Sequence, residues 1–253
     1  MSDYDRNVAA FPGARAGQSV AVDAGLRAHM IRVYNYMATA VGLTGVVAWF
    51  TYNAAVVTNE AGRVVSLTPF GQTIYGGFAP VVLMLATLGL VFFISFRIDR
   101  LQYTTALGLF MLYAGLLGVA LSSIFLAYTG ASITRVFFIS AASFGALSLY
   151  GYTTQRDLSA FGSFLIMGLF GIVIASLVNI FLASSALTFA ISVIGVLVFA
   201  GLTAWDTQKI KEMYNVYDDG TVSGRKAVMG ALSLYLDFIN LFLMLLRLFG
   251  DRR

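Results

Sequence analysis

The chain has 253 residues, 59% hydrophobic and 11% charged, with a formal net charge of +4 and a mean hydropathy of +0.83. Soluble domains carry about 25% charged residues, so a water-facing surface of this size is excluded. With no cysteine and a single histidine, His29, ahead of the first apolar run, disulfides, thiolate metal sites and histidine-based chemistry within the membrane are excluded too.

Residues 1–27 are polar, carry charges of both signs and lack an apolar core. They read as a short disordered cytoplasmic tail, not as a cleaved signal peptide. The remainder, 28–253, reads as one transmembrane domain. No Asp, Glu, Lys or Arg occurs at 33–59, 64–96, 101–134, 136–155 or 158–205, and about 20 apolar residues suffice to cross a bilayer. The runs lack the polar–apolar alternation of a membrane barrel. The expected fold is therefore all-α, a polytopic bundle of seven transmembrane helices. In chain order the spans fall near 33–56, 77–98, 104–128, 133–153, 160–182, 188–207 and 227–248. The run 158–205 is too long for one helix, and the small-polar cluster "ASSALT" at 183–188 divides it. Small residues recur within spans, as in "AGLLGVALSS" at 114–123, and let helix backbones approach closely.

Basic residues near span ends orient the bundle. With the N-terminus inside and the C-terminus outside, eleven of the sixteen basic residues face the cytoplasm and five face the other side. The sixth span then ends inside with "GLTAWDTQKIKEMY", which carries Asp206. The seventh, "ALSLYLDFINLFLMLLRL" at 231–248, carries Asp237 about ten residues in, roughly 15 Å along the axis. An acid at such a depth costs roughly 2.5–3.5 kcal/mol. Asn240 and Ser233 share its helix face. The second span ends inside with "SFRIDR", bringing Arg97 and Arg100 to the same end.

Two carboxylates in a poorly hydrated site cannot both ionise cheaply, and they should share a proton. Such a pair suits a pH-sensitive latch, and once deprotonated it offers oxygen ligands to a hard cation. Calcium wants six to eight oxygens, so Asp206 and Asp237 make at most a transient calcium site. The structural alternatives are plain. Asp206 can form an interfacial ion pair with Lys209, Arg97 and Arg100 can be snorkelling anchors, and Asn179 can be an interhelical hydrogen-bonding residue. "DDGTVSG" at 218–224 is expected to be a turn.

Four blocks carry a family likeness: "LSSIFLAYTGASI" (121–133), "SLYGYTTQRDLSAFGSFLIMGLFG" (148–171), "WDTQKI" (205–210) and "ALSLYLDFINLFLMLLRLFG" (231–250). Together, in this order, they resemble the Bax inhibitor-1 family, also called the transmembrane Bax inhibitor motif family, and most closely its bacterial members. The resemblance runs from about residue 25 to the C-terminus. It implies a bundle in which the last helix is central and surrounded by the other six. It also implies a pH-sensitive calcium leak regulated by two aspartates, which match Asp206 and Asp237. An arginine at the end of the second span, matching Arg100 with Arg97 close by, would latch the pair when the path is closed. The stretch 208–226 is expected to be a long loop that compact members lack.

The leading expectation is a cation leak gated by protonation, located in a bacterial inner membrane. The alternative is a binding protein that restrains a membrane-embedded AAA protease through its N-terminal tail. An enzyme is not expected, since neither a Ser/His nor a Cys/His set exists. Nor is a tightly bound cofactor or a nucleic-acid partner expected. The lipid bilayer is the expected environment, with calcium as a permeant or transient ion.

Overall fold

The computed structural model describes residues 12–59 and 64–253. It is mostly helical. Helix α1 spans Pro12–Ala55, and a two-stranded antiparallel hairpin follows, β1 (Val56–Thr58) and β2 (Val64–Leu67). Next come a short α2 (Pro69–Tyr75), α3 (Ala79–Arg97) ending in a 3₁₀ turn, and α4 (Tyr103–Leu121), prolonged by α5 (Ile124–Ala127). The chain finishes with α6 (Gly130–Thr153), α7 (Ser159–Leu182), α8 (Ser185–Glu212) and α9 (Gly220–Phe249). Three of the long helices start on a side-chain cap. Thr129, Ser184 and Asp219 each accept a hydrogen bond from the backbone N–H three residues on, opening α6, α8 and α9.

Among the described residues, six helical segments are long and apolar enough to cross a membrane: α3, α4 with α5, α6, α7, α8 and α9. Helix α1 is not one of these six. Its apolar run is interrupted by Tyr34, Asn35, Tyr36, Thr39, Thr44, Thr51, Tyr52 and Asn53, yet it packs lengthwise on α4 and α9. The division of 158–205 falls within the expected cluster, where Ala183 adopts a left-handed backbone (φ 48°) between α7 and α8.

Several expectations are corrected. The segment 1–27 is not disordered throughout. Residues 1–11 lie outside the described residues, but from Pro12 onward the chain is already α1, with proline at the first helical position and alanine-rich sequence behind it. At roughly 66 Å, α1 is about twice the thickness of a hydrocarbon core. The long loop expected at 208–226 is short. Helix α8 continues to Glu212 and α9 begins at Gly220, so "DDG" is the turn and "TVSG" is the first helical turn. Lys226 closes this connection by donating to the Met213 carbonyl (2.9 Å) and pairing with Asp218 (2.6 Å). The β-hairpin and α2 were not foreseen.

The last helix is the centre of the bundle. In the most apolar stretch of α9, 72% of residues are buried, against 11% in α3 and in α7. It is not surrounded by all the others, however. Helices α1, α4, α6 and α8 pack on it directly, while α3 leans chiefly on α4 and α7 on α8. Those two form an outer layer whose side chains, such as Phe92, Phe96, Phe170 and Ile174, stay exposed, as lipid-facing surfaces do.

Helix α6 touches α8 where Gly151 leaves no room. A Cβ built there would lie 2.1 Å from the Ala204 carbonyl oxygen, whereas one at Gly145 on the same helix would meet nothing. Gly151→Ala is therefore expected to lower stability in detergent by about 1–3 kcal/mol. Gly145→Ala should leave stability unchanged or raise it by about 0.5–1 kcal/mol; thermal unfolding of both variants checks this.

His29 lies in α1 ahead of the apolar run, against Tyr214 of the α8–α9 connection (ring centroids 5.8 Å apart). It is 3% exposed, and neither ring nitrogen has a hydrogen-bond partner. Burial holds its imidazole below the ordinary 6.5, aided by Arg32 and Lys226 and opposed by Asp218. A neutral folded imidazole contributes stability that is present above the unfolded value and lost as pH falls below it. Acidification from about pH 7 to about pH 5 should thus lower the unfolding temperature of the native protein more than that of His29→Leu, a difference that thermal scans across this range measure.

Candidate functional site in the α8–α9 seam

The two aspartates meet. Asp206 stands six residues before the end of α8, and Asp237 stands seventeen residues into α9, roughly 25 Å along it. It is thus further from the start of its helix than expected, because α9 begins earlier. The antiparallel pairing of α8 and α9 brings their side chains within hydrogen-bonding distance of each other. Asp237 is 5% exposed and Asp206 is half-buried. Two carboxyl groups in contact, with no cation between them, need a proton to link them. One oxygen of Asp237, Oδ2, is buried and has no hydrogen-bond partner.

The surroundings decide what else could bind. Lys209, one turn beyond Asp206, forms no ion pair with it; its ammonium lies over the Trp205 ring, 5.0 Å from the centroid, and acts on Asp206 only through its field. The interfacial ion-pair alternative is therefore not what the structure adopts. Arg97 and Arg100 sit at the end of α3 and in the 3₁₀ turn, both exposed, and neither pairs with Asp206 or Asp237. The turn itself is tied to α9 by Arg225, which donates to the Asp99 carbonyl. Asn240 and Ser233 are half-buried on α9, and the Asn240 amide is spent on the Leu236 carbonyl (2.8 Å).

No third His, Cys, Asp or Glu joins the pair among the described residues. Calcium held as a resident ion needs six to eight oxygens. Two carboxyls facing each other, with one free oxygen on Asp237, do not make such a cage.

Polar groups that the sequence did not single out lead to this seam. Thr207, next to Asp206, meets the Ser148 hydroxyl (2.9 Å), which in turn meets the Tyr34 hydroxyl (2.6 Å). The chain of three hydroxyls links α8 to α6 and α1, and the last two line a cavity of about 560 Å³ between α1 and α6, with Arg27 in its wall. Two residues before Asp237 on α9, the Tyr235 hydroxyl meets Thr44 (2.7 Å), which bonds the Ala114 carbonyl (2.9 Å). Gln208 bridges the α6–α7 turn, accepting from the Leu158 N–H and donating to the Arg156 carbonyl (2.8 Å each). One signal was available. In "LTAWDTQ" the residues Thr203, Asp206 and Thr207 share one face by helical spacing. Ser148 and Tyr34 offered none, since single hydroxyls are common in spans.

Comparison with known proteins identifies the family. A family model described as "Inhibitor of apoptosis-promoting Bax1" matches residues 26–253. The inner membrane protein YbhL of Escherichia coli K12 is 48% identical over 241 residues, covering 94% of this chain and 98% of its own. An uncharacterized protein of Rickettsia prowazekii is 49% identical over 231 residues, with 91% and 92% covered, and one of Caulobacter vibrioides is 44% identical over the full length of both. A match of this extent, in a chain of membrane-length apolar helices, has one reading: the chain is an integral membrane protein that belongs to the Bax inhibitor family.

Proposed function

We propose that this protein is a cation leak of the bacterial inner membrane, gated by the proton shared between Asp206 and Asp237. The observation that carries this reading is the direct contact of the two carboxyls in the bundle interior, without a basic partner among the described residues. An intramembrane acid that serves only packing would be replaced at lower cost by an apolar side chain. Here α1 acts as a seventh span, since it packs along α4 and α9 for much of its length. The N-terminus lies inside and the C-terminus outside, in keeping with the basic residues gathered at the Lys226 end of the bundle.

Gating follows from charge. With one proton between them the aspartates hold α8 against α9, and the arrangement described is the closed one. Without it, two negative charges repel in a medium of low dielectric, the helices part, and the carboxylates face an entering cation. Arg100, or Arg97 beside it, is the latch of this reading, a guanidinium that would pair with the carboxylates to return the path to its closed state, and both are solvent-exposed at the near end of α3. The hydroxyl chain Tyr34–Ser148–Thr207 supplies a polar approach for the proton from the cavity between α1 and α6. Calcium is the permeant ion of this reading, held transiently by two carboxylates and its own water.

The test is calcium flux into dye-loaded liposomes holding the purified protein, followed from about pH 5 to about pH 8. Native protein should give a flux that changes with pH, while Asp237→Asn and Asp206→Asn should each give a flux that no longer does. Flux at the level of empty liposomes for all three proteins would remove the leak and leave the aspartates as a packing device.

A further inference from the structure

At the end of the bundle opposite Lys226, a second polar cavity stands apart from the aspartates. It encloses about 380 Å³ where the end of α7, the first turns of α8 and the end of α9 come together, and its walls include Asn179, Ser185, Thr188, Ser192, Arg247 and Arg252. Its polar wall is organised in advance. The Asn179 amide donates to the Thr188 hydroxyl (2.7 Å) and accepts from the Ser184 N–H (3.0 Å). The Thr188 and Ser192 hydroxyls are each anchored on a carbonyl one turn back (2.9 and 2.8 Å). Arg252 is held in place by a backbone bridge to Tyr128.

The charges do not balance. Among the described residues, neither Arg247 nor Arg252 has an acidic partner, and Asp251, the acid beside them, is already taken by Arg135 (2.8 Å). Two guanidinium groups on one cavity repel each other until an anion joins them, and a phosphate accepts the paired N–H bonds that guanidinium offers. What surrounds the cavity narrows the choice of anion. Ile180, Phe181, Leu182, Phe189 and Phe249 are all more than half exposed there, which is the pattern of side chains that meet hydrocarbon. The arginines thus stand at the edge of the apolar belt, at the level where headgroup phosphates lie.

We infer that this cavity binds the phosphate of an anionic glycerophospholipid, with Arg247 and Arg252 on the phosphate, Ser185 beside it, and acyl chains lying along Phe181 and Phe189. A net-negative headgroup is favoured over a zwitterionic one, because a choline would bring a third cation to two unmatched guanidiniums.

The experiment is native mass spectrometry of the full chain in detergent, with added dioctanoyl phosphatidylglycerol, dioctanoyl phosphatidylcholine or sodium phosphate. The native protein should retain one phosphatidylglycerol at concentrations where phosphatidylcholine is not retained. The double variant R247Q/R252Q should weaken that binding about tenfold or more, while Arg156→Gln, at the other end of the bundle, leaves it unchanged. Both arginines of the cavity are exposed, and an unaltered unfolding temperature of the double variant shows that the loss is one of binding. Equal retention by native protein and R247Q/R252Q would overturn the proposal. So would equal retention of the two lipids, or displacement of the lipid by sodium phosphate at comparable concentration, which would make the cavity a site for soluble anions.

Discussion

A carboxyl group placed in the middle of a helical bundle has to find its partner inside the protein, and among the described residues the partner offered to Asp237 is another carboxyl. The rest of the architecture is consistent with that constraint. Helix α9 is central and carries the buried acid, and α8 lies antiparallel to it with Asp206 beside that acid. The short connection Met213–Asp219, closed by Lys226 and Asp218, sets the relative level of the two helices. Glycines Gly151 and Gly162 then let α6 and α7 approach α8 closely enough to meet Ala204 and the Trp205 ring.

The polar groups of the interior divide into two kinds. Most are satisfied within their own helix, as Thr203 is by donating to the Phe199 carbonyl one turn back (2.8 Å), and they cost the bundle little. A few reach across helices: Tyr34 to Ser148, Ser148 to Thr207, and Tyr235 to Thr44. These cross-links all involve α1, α6, α8 or α9. Helix α3 makes none of them, α7 contributes a single link of its own, from the Asn179 amide to the Thr188 hydroxyl of α8 (2.7 Å), and both otherwise present mainly apolar side chains. The molecule thus has an inner set stitched by several polar cross-links and an outer pair that is mainly apolar, and the paired carboxyls belong to the inner set.

Much of this was legible from the residues alone, for physical reasons that differ from element to element. Uncharged runs locate spans because hydrocarbon tolerates so few charges, so the ends of α3, α6 and α7 fell within a few residues of their places. That Asp206 and Asp237 could meet in one half of the bundle followed from topology, since consecutive antiparallel helices bring the end of one beside the start of the next; their common level did not, because Asp237 stands seventeen residues into α9. The β-hairpin and α2 were hidden because strands of three and four residues have no readable period and are held by their surroundings, as when Thr68 bonds the Ala54 and Ala55 carbonyls. The true length of α8 and α9 was hidden for another reason. Their outer turns are polar, and hydropathy marks where a membrane ends, not where a helix does. The positions of Arg97 and Arg100 could be assigned to an end of the bundle, but whether a long flexible side chain reaches inward is set by local packing that spacing does not encode.

The place of Asp237 on the last helix also bears on how the chain is assembled. Helices α3 and α7 are apolar enough to enter a bilayer unaided, whereas a segment with an acid near its middle is a reluctant entrant. Synthesis runs from the N-terminus, so by the time α9 emerges, α1, α4, α6 and α8 have all been made. The carboxyl can be handed from the insertion machinery to a vestibule already furnished with Asp206, and it need never be shown to lipid. The order of the helices in the gene is, in that sense, an order of assembly.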